Sequence, residues 1–189
     1  MKGTLSFPLL IACGVLARLA TSQNPSVRVE YELKKFSNAR GTQQDGKKCS
    51  ILGGSCNHKF TGYIDTSSPV KGWPGTRGVT DWPTLVEKKE NSLILNKILS
   101  ADICAGNFQV ADLRVHVTDS GMTSDKLVED FDCLSSGSIA PTELKSTWSE
   151  EKECKARYNP GNNKLTYRVR AYALPTASCG RPPARPHNG

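Results

Sequence analysis

The chain has 189 residues, a formal net charge of +7 and seven cysteines; 23% of its residues are charged and 7% aromatic. That is one domain's worth of polypeptide, large enough for a hydrophobic core. The basic residues are scattered among acids and no nucleic-acid-binding motif accompanies them, so a nucleic-acid partner is not expected.

Residues 1–22 read as a secretory signal peptide. Lys2 gives the basic start, Phe7 to Ala17 the apolar stretch, and Ala20-Thr21-Ser22 the small-residue cleavage pattern. A bilayer-spanning helix needs about 20 apolar residues, and Arg18 closes this run too early for an anchor. Cleavage removes Lys2 and Arg18 from the +7 and leaves +5. It also removes Cys13. The remaining Cys49, Cys56, Cys104, Cys133, Cys154 and Cys179 form an even set, which in an exported chain reads as three disulfides. The protein is therefore expected to be secreted and extracellular. Residues 23–179 form its domain, and residues 180–189 a disordered tail.

In Val27 to Leu33, odd positions are apolar and even ones charged or polar, the pattern of a strand with one wet face. Residues 37–55 read as loop, and residues 59–64 as a second strand. Residues 66–83 are rich in Pro and Gly, a long loop carrying Trp73 and Trp82. Those tryptophans either anchor a partner or pin the loop to the core. Short strands are expected at 85–86 and 93–95. Between Val110 and Leu113 the alternation slips phase, so a bulge or break is expected there. Residues 126–131 are another strand, and 142–153 fit a short helix or irregular chain equally well. Cys154, Ala156 and Tyr158 alternate with Lys155 and Arg157; Asn159 to Asn163 makes a turn; Leu165 to Ala171 alternates in return, as a hairpin.

Seven or eight short strands without an amphipathic helix argue an all-β fold, an antiparallel β-sandwich. Leu33, Leu113, Val115, Leu165, Tyr167 and Val169 belong in its core. Six cysteines allow 15 pairings. Placing each cysteine at a strand end favours sequential pairs: Cys49–Cys56, Cys104–Cys133 and Cys154–Cys179.

The chain carries no Gly-x-Ser-x-Gly, P-loop or His-Glu-x-x-His motif, and His58, His116 and His187 have no partner at metal-ligand spacing. His116 alternates with Arg114 on the polar side of its strand, which suggests a surface position. No enzymatic activity is expected. Lys34, Lys35, Arg40, Lys47, Lys48 and Lys59 form the densest basic cluster, either a solvated face or an anionic site. Asp119 and Asp125 share one loop, with Asp45 in another. Carboxylates so placed either supply hard oxygen ligands to Ca²⁺ or simply favour turns. A weak Ca²⁺ site or none is expected, and no other cofactor.

The segment Val29-Glu-Tyr-Glu-Leu33, followed by Phe36, Asn38, Gly41, Gly46 and Cys49, resembles the opening of the N-terminal C2-like domain of Notch ligands of the Delta and Jagged type. Cys56 with Phe60, Leu113-Arg-Val115 with the acidic loop, and the closing strand Leu165 to Ala171 are similar to later parts of that domain. The resemblance covers residues 27–173. The DSL and EGF modules of those ligands have no counterpart here, and Asp-x-Asp of calcium-binding C2 loops reads Asp119-Ser-Gly121. Leu174-Pro175 and Cys179 are also similar to the end of extracellular C2 domains of perforin type. The resemblance implies a C2-like, disulfide-stapled sandwich. It would act as a binding module that engages a cell-surface receptor or membrane phospholipid head groups through loops 37–55, 66–83 and 118–126, with Trp73 and Trp82 as anchors. A secreted effector is the alternative reading: a toxin, an inhibitor or an extracellular matrix component.

Overall fold

Nine strands form in a computed structural model that describes residues 25–50, 54–104, 108–121 and 124–181. The expected signal peptide and residues 182–189 of the expected tail lie outside those residues. In chain order the strands are β1 Ser26–Asn38, β2 His58–Asp65, β3 Thr84–Lys88, β4 Ser92–Ile103, β5 Val110–Asp119, β6 Lys126–Ser136, β7 Lys152–Glu153, β8 Lys155–Ala156 and β9 Asn163–Leu174. They make two antiparallel sheets, β4-β1-β9-β7 and β3-β2-β5-β6-β8. Residues 142–153 hold one 3₁₀ turn, Glu143–Lys145, and otherwise run extended or irregular.

The sandwich core follows from period-two alternation. Val27, Val29, Tyr31 and Leu33 of β1 face Ala111, Leu113, Val115 and Val117 of β5, with Leu165, Tyr167, Val169 and Ala171 from β9. All six residues expected in the core are buried. Both tyrosine hydroxyls of the core are satisfied: Tyr31 donates to the Ala111 carbonyl at 2.7 Å and Tyr167 to the Leu134 carbonyl at 3.0 Å.

The charged face of β1 is not wet. Arg28, Glu30 and Glu32 are each less than a tenth exposed, because neighbouring strands carry their counter-charges. Arg28 pairs with Asp102 of β4 at 2.6 Å, Glu30 with Arg170 of β9 at 2.6 Å, and Glu32 with Arg168. Trp148 then lies against both β9 guanidiniums, 5.0 and 4.7 Å from its ring centroid. The expected break near Val110 is also absent. Ala111 takes the inward position, Val110 falls on the other face, and the register shift lies between Val117 and Thr118.

The last expected hairpin does not form as one. Lys152 and Glu153 pair with Tyr167 and Thr166 of β9, whereas Lys155 and Ala156 pair with Asp132 and Phe131 of β6. The chain leaves one sheet and joins the other at Cys154. Alternation alone does not reveal this, since an alternating strand suits either sheet.

That crossing changes the disulfides. Cys154 bonds Cys133 on β6, and Cys104, at the end of β4, bonds Cys179 beyond β9. Cys49–Cys56 forms as expected, while the expected Cys104–Cys133 and Cys154–Cys179 pairs do not. Cys179 is brought to β4 by the chain after β9: the Gly180 amide donates to Asp102 at 2.7 Å and Arg28 donates to the Arg181 carbonyl at 2.5 Å. The first two residues assigned to a disordered tail are thus docked.

Chain-entropy arithmetic ranks the three bonds by loop length. The Cys104→Ser/Cys179→Ser double variant, opening a separation of 75 residues, should lose about 4.5 kcal/mol. Opening the separation of seven in Cys49→Ser/Cys56→Ser should cost about 2.4 kcal/mol. Urea unfolding under non-reducing conditions checks the order, and equal losses would contradict it.

Candidate binding surface

One end of the sandwich gathers the chain between β1 and β2, the β3–β4 turn, the β5–β6 loop and residues 157–162. Asn38, the last residue of β1, is fully buried. Its Nδ2 donates to the Thr42 carbonyl at 2.9 Å and its Oδ1 accepts from Thr42 N at 3.2 Å and Asn162 Nδ2 at 2.9 Å. A short polar side chain here closes the turn that sends the chain into residues 39–50. Gly41, at φ 59°, faces Asn91 of the β3–β4 turn so closely that a Cβ would sit 2.7 Å from its amide nitrogen. The turn is fixed in return by Asn38 N donating to Asn91 O at 2.8 Å and Cys56 N donating to Asn91 Oδ1 at 3.0 Å. The β5–β6 loop joins through Gln44 N to Leu127 O and Ser120 N to Asn57 O, both 2.8 Å.

The surface of this end is basic. Arg40, Lys47, Lys48, Lys88 and Lys89 are all exposed. Lys47 pairs with Asp45 at 2.8 Å. Among the described residues Arg40, Lys48, Lys88 and Lys89 form no ion pair. Lys48 Nζ donates to the Arg40 backbone carbonyl at 2.6 Å, which ties the Lys48 side chain across the loop. Arg40, Lys48, Ser50, Gly41, Gly54 and Asn91 line a shallow cleft of about 240 Å³. The basic cluster expected from sequence therefore divides: Arg40 and Lys48 border this cleft, while Lys34 is taken by Glu32 and Asn96 and Lys59 by Asp125.

The three aspartates are separately employed. Asp45 holds Lys47 at the surface, and the ammonium and amide of Lys47 keep its carboxyl below the usual range. Asp119 accepts from Asn57 N at 2.9 Å and Gln43 Nε2 at 3.0 Å, bracing two loops. Asp125 accepts from Lys59 and from Ser120 Oγ. Among the described residues these three carboxylates do not gather as one ligand set. Asp119 instead lies within 4.8 Å of the Cys49 and Cys56 sulfurs, which are spent on each other.

Loop 66–83 meets this end through Val79 and Thr80, which line a groove with Asp125 and Leu127. It runs across the outer face of the five-stranded sheet and buries what sequence placed at the surface. Arg114 is 1% exposed; its guanidinium donates to Asp132 at 2.9 Å and to the Pro69 and Lys71 carbonyls at 3.0 and 2.7 Å. Asp65 lies beside it at 3.5 Å. Burial alone would raise the Asp65 pKa, but the Ser68 and Thr76 amides, the Tyr63 hydroxyl and Arg114 outweigh it and hold the carboxyl low. His116, next on the same face, meets Asp130 at 2.6 Å. Trp82 is 5% exposed, packed between Tyr63 and Trp73, with its indole N–H on the Arg77 carbonyl. Trp73 is half-buried under the Arg157 guanidinium. Trp82 fastens the loop to the sheet, and Trp73 packs on it while keeping one side at the surface.

This architecture is a C2-like β-sandwich. A C2 domain protein from Ramazzottius varieornatus superposes with a TM-score of 0.75 at 24% identity, over 86% of this chain and 96% of that one. A C2 domain of plant Extended Synaptotagmin 1 gives 0.50 at 12% identity, over 81% and 99%. Drosophila C2-DSL-EGF1 gives 0.48 at 18% identity, over 77% and 67%. Identities this low speak to the fold alone: the C2-like fold is shown, and a relationship to Notch ligands is not. No protein-family model matches the sequence, and no curated protein matches it.

Two outcomes follow from the covered sheet face. Trp82→Ala should cost about 3–5 kcal/mol of stability, as removal of a buried aromatic does, read by urea unfolding. Asp112, beside Arg114, is pushed up to about 7 by burial, which outweighs the pull of Arg114 and is reinforced by Asp132. A raised acid pKa contributes stability that is fully present below the unfolded value near 4 and lost as pH rises through 7. Asp112→Asn should therefore gain on the wild type between pH 4 and 8 by more than about 1.4 kcal/mol, one pKa unit's worth. A constant difference across that range would contradict the assignment.

Proposed function

We propose that this protein is a secreted, non-enzymatic C2-like module that attaches to anionic membrane surfaces through its basic loop end. The observation that carries this reading is the cleft between Arg40 and Lys48, on loops braced by Asn38, Asn91 and Asp119. Unpaired cations on a rigid rim attract phosphate-bearing head groups at about 1 kcal/mol each near a charged leaflet. Because the loops are already fixed to one another, little ordering entropy opposes contact. Three disulfides and the leader-like residues 1–22 support export. Binding without catalysis is supported by how the buried histidine is used: His58 has one ring nitrogen on the Glu90 carbonyl and the other beside Asn38.

A membrane is favoured over a receptor as the partner. Tyr31, Leu33, Phe36 and Asn38, which carry much of the likeness to Notch ligands, are all buried. They specify a fold and offer nothing to a receptor's surface.

Vesicle sedimentation tests the proposal. Phosphatidylserine-containing vesicles should retain the protein and pure phosphatidylcholine vesicles should not. Retention should fall with added salt. The Arg40→Glu/Lys48→Glu variant, with unchanged unfolding, should bind about tenfold or more weakly. Chelation of Ca²⁺ should leave binding unaltered, since protein donors already occupy the three aspartates. Equal binding to neutral vesicles, or an unaffected charge-reversed variant, would overturn it.

A further inference from the structure

β7 pairs with Thr166 and Tyr167 of β9, so among the described residues no strand covers that edge of the sandwich beyond Tyr167. Residues 140–149 take the place of a strand as a strap fixed at two points. At one, Ala140 N donates to the Ala171 carbonyl at 3.0 Å and the Ala140 carbonyl accepts from Ala173 N at 2.8 Å. At the other, Ser149 N donates to the Val169 carbonyl at 2.8 Å and its Oγ accepts from Val169 N at 3.0 Å. Between these points the strap turns outward through Glu143–Lys145. It leaves a pocket of about 400 Å³ beneath it, far from the basic loops. Phe108, Pro141, Trp148, Val169 and Ala171 supply apolar walls.

Two donors in this pocket are unspent. Residues of an antiparallel strand turn N–H and C=O to the same edge, so the Ala171 amide follows its carbonyl toward the strap. Among the described residues no acceptor meets it. Lys145 is the second. The other cation of the lining, Arg170, is consumed by Glu30, Glu143, Ser146 and the face of Trp148. The Lys145 side chain is exposed and, among the described residues, makes neither an ion pair nor a hydrogen bond. A pocket with apolar walls, an unpaired amide and one free ammonium matches an apolar molecule with a single negative charge. The volume is at the small end of the range for ligand sites, about 300–1,000 Å³.

We infer that the space beneath the 140–149 strap is a binding site for a small amphipathic carboxylate. Its apolar body lies against Phe108, Trp148 and Val169, and its carboxylate is held by Lys145. The site is independent of the membrane-binding rim and works without a bilayer.

Calorimetric titration of the full chain in the absence of vesicles tests this, with decanoate below its micellar concentration and decan-1-ol as the uncharged counterpart. Decanoate should bind one site, about tenfold more tightly than decan-1-ol, as expected for a charge-assisted hydrogen bond. Lys145→Gln should bring decanoate down to the alcohol's affinity, and Lys145→Arg should restore it. Thr147→Trp, at an exposed position of the lining, should fill the pocket and abolish both, with near-ultraviolet circular dichroism showing that it folds. Absence of heat with decanoate would overturn the inference, as would binding indifferent to Thr147→Trp. Loss in Thr147→Trp alongside an unchanged Lys145→Gln would overturn the carboxylate assignment. None of these outcomes bears on vesicle attachment by the opposite end.

Discussion

Glu129 lies on β6 without solvent exposure, and its two oxygens accept from Asp130 N, Arg157 N, Tyr158 N, Asn159 N and Asn163 Nδ2 at 2.7–3.1 Å. An ionised carboxylate so placed is tolerable only when hydrogen bonds replace its hydration. That demand forces residues 157–163 to curl around it. Asn163 opens β9 in one sheet while Glu129 sits in the other, so the carboxylate also ties the two layers together. Asn162 passes the constraint to Asn38 and Thr42. The loops at the basic end hang on a chain of buried polar contacts that starts at this one acid.

The same logic recurs on both outer faces, where charge is shielded and not displayed. Arg114 is covered by loop 66–83, and Arg168 and Arg170 by Trp148. Each cation finds a carboxylate on a neighbouring strand, and an aromatic or a loop backbone closes the water out. Among the exposed cations without an ion pair, Arg40 and Lys48 lie where loops converge and Lys145 lines the pocket beneath the strap.

The strands and the inward residues of β1, β5 and β9 were legible because alternation reports which face a side chain takes. Whether the other face is wet was not. Arg28, Glu30 and Glu32 look solvated in sequence and are buried because Asp102, Arg168 and Arg170 arrive from sequentially distant strands. Two of the three expected disulfides failed for a related reason. Cys154 alternates with its neighbours as if in one hairpin, yet it marks the step between sheets, and only the partner strands on each side reveal that. Of the candidate site, Arg40 and Lys48 were visible as basic loop residues. Glu129, Trp148 and Lys145 were passed over: an acid in a strand, one tryptophan and a lysine in an undecided segment carry no local signature. Trp82 was visible, but its role depended on where loop 66–83 lay down.

The step at Cys154 has a kinetic consequence. Residues 152–156 complete the edge of one sheet and, two residues later, the edge of the other. Neither sheet can finish before the two have met in register. Local hairpins such as β5–β6 can form early, but the rate-limiting ensemble has to contain both layers. Contacts this distant in sequence delay the reward for closing each loop. The edge of each sheet is thus completed only once the two sheets have come together.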